Sequence, residues 1–235
     1  MISSPLVLEP LFHVGPVPIT APVVVTWAIM AVLGIGSAVA TRRLDRNPGR
    51  LQSALELLVE TLDGQLRDTL GAEPAPYRGL IGTIFVFILV ANWSSLVPGV
   101  EPPTAHLETD AALALIVLAA TVGHGIAARG LLGWLATFAE PSWVMIPLNL
   151  AEQITRTFSL IVRLFGNVMS GVFVVGIVLS LAGLVVPIPL MALDLLTGAV
   201  QAYIFAVLAG VFLGAAIGDG RPADPPSNRQ EPPAP

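Results

Sequence analysis

The chain contains no cysteine and no lysine, and only 11% of its 235 residues are charged. The missing cysteine excludes disulfides, thiol nucleophiles and thiolate metal sites. The missing lysine excludes a Gly-x-x-x-x-Gly-Lys-Ser/Thr phosphate loop, so no nucleotide site is expected. The three histidines, His13, His106 and His124, are scattered without metal-ligand spacing. A soluble domain covers itself with about 25% charged residues, and this chain has too few. Its net charge of −5 comes largely from loops and the tail, and it gives no basic face for nucleic acid. No cofactor is implied.

What is abundant is apolar. Hydrophobic residues make up 54% of the chain, and the mean hydropathy is strongly positive. Lipid is the natural solvent for such a sequence. A hydrocarbon core of about 30 Å needs about 20 apolar residues per crossing. Five runs meet that length: residues 21–40, 80–97, 111–128, 147–184 and 189–217. The expected class is an all-α integral membrane protein with five transmembrane helices, residues 1–218 forming one membrane domain. The last two runs exceed one crossing, so they must tilt, kink or project. A short turn at 185–188 joins them into a tilted hairpin.

Between the spans the pattern changes. Residues 1–20 hold four prolines and read as an extended lead-in. They lack the basic region and cleavage site of a secretory signal, so the first run reads as a retained helix. Over residues 50–70, Leu51, Leu55, Leu58, Leu62, Leu66 and Leu70 recur at helical spacing among Glu56, Glu60, Asp63, Arg67 and Asp68. That is an amphipathic surface helix, lying on the bilayer or packed on a partner. Residues 98–110 read as a polar, proline-rich loop. Residues 219–235, with six prolines, read as a disordered tail.

All eleven basic residues are arginine. Arg42, Arg43, Arg46, Arg50, Arg67 and Arg78 fall between the first and second spans, Arg129 follows the third and Arg221 follows the last. The alternate loops carry none. By the positive-inside rule the N-terminus lies outside and the C-terminus in the cytoplasm.

The fourth run carries Asn149, Glu152, Arg156, Ser159, Arg163, Asn167 and Ser170, at spacings of 3, 4, 3, 4, 4 and 3. That is one helix face. Leu150, Ile154, Ile161, Val162, Phe165 and Val168 read as the face opposite. A polar stripe inside a membrane must meet protein, water or another charge. Arg163 is its costly member, since an arginine at a helix centre costs about 2.5–3.5 kcal/mol to insert. Glu152 and Arg156 have the order and spacing of a local ion pair, whereas Arg163 has no acid one turn away in either direction. A guanidinium does not shed its charge, so its counter-charge must come from another helix, another protein or water. The last run offers Asp194, Thr197, Gly198 and Gln201 on one face, with Gly210 and Gly214 suited to close helix contact. The bland readings are snorkelling for Arg163, helix–helix glue for Gln201, an interfacial loop residue for His106 and a packing residue for His124.

The run from Pro147 to Asn167, with its core Ser159-Leu160-x-x-Arg163-Leu164-Phe165-Gly166-Asn167, closely resembles the signature of the a subunit of F-type ATP synthases. Gln201-Ala202-Tyr203-Ile204-Phe205 resembles that family's last-helix motif. Asn92-Trp93-Ser94-Ser95-Leu96-Val97-Pro98-Gly99 with Pro103-Thr104-Ala105 resembles its second-span exit, and Leu11-Phe12-His13-Val14-Gly15-Pro16 its lead-in. The resemblance implies a non-catalytic stator subunit in a bacterial plasma (inner) membrane. Its implied partners are a rotating ring of c subunits and b-type peripheral stalk subunits. It implies that Arg163 faces the ring carboxylate, with Ser159, Asn167 and Gln201 lining the same region between two offset half-channels that carry protons or sodium ions. Asn149, Val172, Asp194 and His106 depart from the family's commonest residues. These departures are similar to those of a second type of bacterial F-ATPase, some of which move sodium. Asp194 is the acid available to replace the one missing at Val172, and Asn149 and Glu152 join the ion-path candidates. The rival readings are a self-contained secondary transporter, which calls for paired internal repeats that the sequence lacks, and a structural membrane scaffold.

Overall fold

The computed structural model describes residues 10–14, 17–42, 49–70, 75–97, 100–138, 142–183 and 186–217. The tail at 219–235, the loop arginines Arg43, Arg46 and Arg221, and Pro98 and Gly99 lie outside these residues. The lead-in folds back on itself: β1 (Pro10–Val14) and β2 (Val17–Thr20) pair antiparallel, with His13 opposite Pro18 and Val14 opposite Val17. Apart from this hairpin and short connections, the described residues are helical, and the fold is all-α.

α1 (Ala21–Thr41) begins with proline in its first turn, where the missing amide hydrogen costs nothing. It contains no charged residue, and only Pro22 and Ile29 are buried, so it lies at the margin of the bundle. α2 (Arg50–Leu70) is the amphipathic helix. α3 (Ala75–Trp93) runs into a 3-10 turn at Ser94–Leu96, and a second such turn, Pro103–Ala105, leads into α4 (Leu107–Phe138). α5 (Ile146–Ala182) and α6 (Pro187–Ile217) form the long hairpin. Among the described residues, five helices are long and apolar enough to cross a membrane. At 1.5 Å per residue α5 is about 55 Å long, well beyond a hydrocarbon core of about 30 Å.

Two glycines end helical segments where the sequence shows only an apolar run. Gly130 breaks α4 with φ 74°, so the helix crosses up to Arg129 and then restarts as a short extension to Phe138. Gly183 ends α5 with φ 73°. Both values lie in the left-handed region, where an L side chain would clash. The third span is therefore longer at both ends than its apolar run. It starts at Leu107, and this places Glu108 and Asp110 inside a helix rather than in the expected loop.

α6 is the axis of the bundle, packing on α2, α3, α4 and α5. Its buried face is mostly small: Gly198, Ala202, Ala206, Ala209 and Gly210 alternate with Gln201, Phe205 and Leu213. Small residues let helix backbones approach where lipid gives no hydrophobic drive for association. The main core joins Ile84 and Ile88 of α3, Leu113 and Val117 of α4, Leu160, Leu164 and Val168 of α5, and Phe205 of α6. The C-terminal half of α2 docks on a second cluster, where Leu66 meets Ile81, Ala206 and Leu213. The Arg78–Asp63 ion pair and a 2.7 Å hydrogen bond from the Tyr203 hydroxyl to Gln65 Oε1 fasten it. Leu55, Leu57 and Val59 of the same helix stay exposed.

One buried polar node ties the opposite end of the bundle. Asn92 Nδ2 donates to the Gly198 carbonyl at 2.9 Å, and the Thr104 hydroxyl donates to Asn92 Oδ1 at 2.7 Å. A Cβ on Gly198 would come within 3.0 Å of Asn92 Cβ, so any side chain here would push α3 and α6 apart by a few tenths of an ångström. Trp93 Nε1 also donates to the Leu195 carbonyl at 3.2 Å. Asn92→Ala leaves a buried carbonyl and a buried hydroxyl without their partner. It should lower the stability of the detergent-solubilised protein by about 1–3 kcal/mol. An unchanged thermal-unfolding midpoint would show that the node does not hold the helices.

Candidate functional site

The polar stripe of α5 does not point into the bundle. The buried line of this helix is Leu160, Leu164 and Val168. The stripe lies on the shoulder beside that line: Ser159 and Arg163 are exposed, and Arg156 and Asn167 are half-buried. The face read as opposite is split, with Val168 in the core and Leu150, Ile154 and Val162 exposed. α5 thus shows polar groups on one open side and bare apolar groups on another.

The two arginines differ in how they are held. Arg156 pairs with Glu152 one turn away, and its guanidinium lies 5.5 Å from the centre of the Phe212 ring on α6. A charge held by both a carboxylate and a ring face is fixed in place. Arg163 makes only a 3.5 Å contact from Nη2 to the Ser159 hydroxyl. No carboxylate among the described residues pairs with it. Beside it a cavity of about 590 Å³ is lined by Glu152, Arg156, Ser159, Arg163, Leu208 and Phe212. The cavity therefore borders both the free charge of Arg163 and the neutralised Glu152–Arg156 pair.

On the far side of Arg163 the helices pack closely at Asp194. A Cβ on Gly171 would overlap the Asp194 carboxylate, so glycine here lets this acid of α6 lie against α5, and a side chain would displace the carboxyl end. Gly171 is eight residues beyond Arg163, which is about 12 Å along the helix. In an antiparallel hairpin with Asp194 level with Gly171, Gln201 falls level with Leu164, next to the arginine. Gln201 is buried, and its Nε2 has no hydrogen-bond partner among the described residues. Asn149 stands apart from this group. Its amide donates to the Phe138 carbonyl at 2.9 Å and caps the α4 extension.

Four polar residues before and at the start of α4 carry little weight in sequence: Asn92, Thr104 and Asp110 read as motif or loop, and His106 as an interfacial loop residue that departs from the family's commonest one. Asn92, Thr104, His106 and Asp110 are all buried. Asp110 continues the core face of α4 through Leu113, Ala114, Val117 and Thr121. That spacing was present in the sequence, and it becomes visible once the helix is started at Leu107.

Fold and site together define an integral membrane protein of five long helices with a charged, open flank. The ATP synthase A chain family matches residues 23–214. A relative from Bradyrhizobium sp., "ATP synthase subunit a 2", is 56% identical over 218 residues, covering 93% of this chain and 98% of its own length. "ATP synthase subunit a" of Albidiferax ferrireducens is 41% identical over 90% of this chain and 92% of its own. "ATP synthase subunit a 1" of Chlorobaculum parvum is 46% identical over 83% and 87%. The chain belongs to the ATP synthase subunit a family, the non-catalytic membrane component of the F0 sector. It therefore works as one part of a multi-subunit ATP synthase.

The Gly171–Asp194 contact can be tested by a double-mutant cycle. Gly171→Ala should destabilise the solubilised protein by about 1–3 kcal/mol through overpacking. The loss should shrink to a fraction of that in an Asp194→Ala background. Equal losses in both backgrounds, read from thermal unfolding, would show that the two residues do not touch.

Proposed function

We propose that this chain is the ion-translocating stator subunit, working against a ring of c subunits and held by b-type peripheral stalk subunits. Residues 1–218 act as one membrane domain in a bacterial plasma membrane, with the N-terminus outside and the C-terminus in the cytoplasm. The transported ion is a proton or a sodium ion, and it reaches the ring through two half-channels that flank Arg163.

The reading rests on one observation: Arg163 is exposed on the flank of α5 with no ion-pair partner among the described residues. Its natural counter-charge is a carboxylate brought by another subunit. A ring carboxylate that carries its ion is neutral and passes through lipid. Beside a fixed guanidinium the ionised carboxylate is favoured, and the ion leaves. The same charge repels a cation that would cross directly from one half-channel to the other. Arginine suits this work better than lysine because a desolvated lysine can lose its proton and, with it, the barrier.

The remaining candidates supply the surroundings. Ser159 and Asn167 flank the arginine on the same helix face, and Gln201 offers it a buried amide from α6. The cavity beside Glu152 and Arg156 supports a water-filled approach on the cytoplasmic side. Asp194, held against Gly171, supports an acid on the outer side. Asn149 acts at a distance from the arginine through the end of α4.

Arg163→Ala in the assembled complex tests the reading. The complex should still form, and ATP-driven ion uptake into inverted vesicles should fall on the order of a hundredfold, the scale for loss of a charge-stabilising group in a water-poor site. Normal coupled pumping would overturn the proposal. Ion transport by the purified chain without a ring would favour a self-contained transporter instead.

A further inference from the structure

The strongest feature left unexplained is a pair of buried polar groups at the N-terminal end of α4. Asp110 has 0% exposure, and neither carboxyl oxygen has a hydrogen-bond partner among the described residues. His106 is 8% exposed, and its Nε2 is likewise without a hydrogen bond, with only the exposed Glu101 carboxylate at 3.4 Å. The two residues belong to one turn, since the Asp110 amide donates to the His106 carbonyl at 3.3 Å.

An acid in the first turn of a helix ordinarily serves the helix dipole from the surface. Glu108 fits that description, being exposed in the same turn. Asp110 does not. It tops the core-facing stripe of α4, above Leu113, Ala114 and Val117, which pack in one cluster with Leu164 and Val168 of α5. It therefore faces the core in which α4 packs on α3, α5 and α6, and α5 carries Arg163. A carboxylate shut away from water without a donor is costly, and the cost is removed when a cation joins it. A metal cation would need several oxygen ligands. The nearby oxygens of Asn92 and Thr104 are already engaged with each other, and the Asn92 amide with Gly198. No metal-holding group of His, Asp or Glu is present among the described residues. A proton needs no such cage, and a histidine one turn away can take and give one.

We infer that Asp110, with His106 beside it, is the outer proton station of the ion path, a role that rests on the stator reading above. A proton from the outer aqueous side joins the Asp110 carboxylate to form the carboxylic acid. The same proton then passes to the ionised ring carboxylate that the stator reading sets beside Arg163, which becomes the neutral acid, and Asp110 is a carboxylate again. Among the described residues the other ionisable groups toward this end are Glu101 and Glu108 at the surface, Asp194 on α6 and His13 in the lead-in hairpin.

The test uses the assembled complex in membranes carrying Asp110→Asn, Asp110→Glu or Asp110→Cys. Asp110→Asn keeps shape and neutrality but cannot exchange a proton. It should lower ATP-driven proton uptake on the order of a hundredfold, the low end for loss of a proton-transfer group. Asp110→Glu should restore most of the uptake. The chain has no cysteine of its own, so Asp110→Cys gives a single reporter in it. A membrane-impermeant thiol reagent added from the outside should modify this cysteine, read as the mass it adds to the subunit, with the unsubstituted complex as control. Wild-type uptake in Asp110→Asn, or a cysteine that stays closed to the reagent, would overturn the assignment. If Asp110→Asn does not assemble, the cysteine result decides alone. Uptake that requires sodium would also overturn it. Arg163→Ala measured in parallel separates the two claims. If Arg163→Ala loses pumping and Asp110→Asn keeps it, only the outer station falls; if Arg163→Ala keeps pumping, the stator reading falls.

Discussion

In hydrocarbon a polar group survives only against a partner, and this constraint shapes every helix of the chain. Most hydroxyls satisfy it locally: Thr83, Thr121, Thr155 and Thr157 each donate to the carbonyl four residues back. Asn92 satisfies it across helices and so locks α3 to α6. Arg156 satisfies it twice, with a carboxylate and an aromatic face. Against this background the exceptions are few. Among the described residues Arg163 lacks a carboxylate, and the Gln201 amide, His106 Nε2 and the Asp110 carboxylate lack hydrogen-bond partners; all four bear on the proposed ion path.

The small-residue face of α6 makes this arrangement possible. Gly198 admits Asn92, Gly210 admits the side chains of Leu66, Thr69 and Ile81, and Ala202, Ala206 and Ala209 keep the other helices near the axis. The glycine at position 171 does the same for α5, but it brings a carboxylate close instead of an apolar contact. Backbone proximity has thus been used for two purposes. Near the bundle axis it builds stability, and near the turn of the α5–α6 hairpin it sets where a charge stands.

Much of this was readable before any coordinates. Five apolar runs announce five long helices, and the spacing from Asn149 to Ser170 announces a polar face. The orientation of α5 was not readable. Lipid and protein interior are equally apolar, so Leu160, Leu164 and Val168 look no different in sequence from Leu150, Ile154 and Val162. The start of α4 was hidden for a related reason. The helix begins before its apolar run does, and Asp110 therefore looked like part of a polar loop. Gly130 gave no warning either, because only its backbone angles distinguish a break from a packing glycine. The partnerless state of Arg163 was legible, since it follows from what is absent one turn away.

The supports of α5 make it a beam held at both ends. Near one end Asn149 is tied to Phe138, and Arg129 joins the same region to the end of α6 through the Ile217 carbonyl at 3.1 Å. At the other end, Gly183 closes the helix and Gly171 is pinned beneath Asp194. A beam supported in this way passes a sideways load into its supports instead of swinging with it. A moving neighbour that pulled on Arg163 would meet the stiffness of α4 and α6 together, so the charge would keep its position while the neighbour slid past.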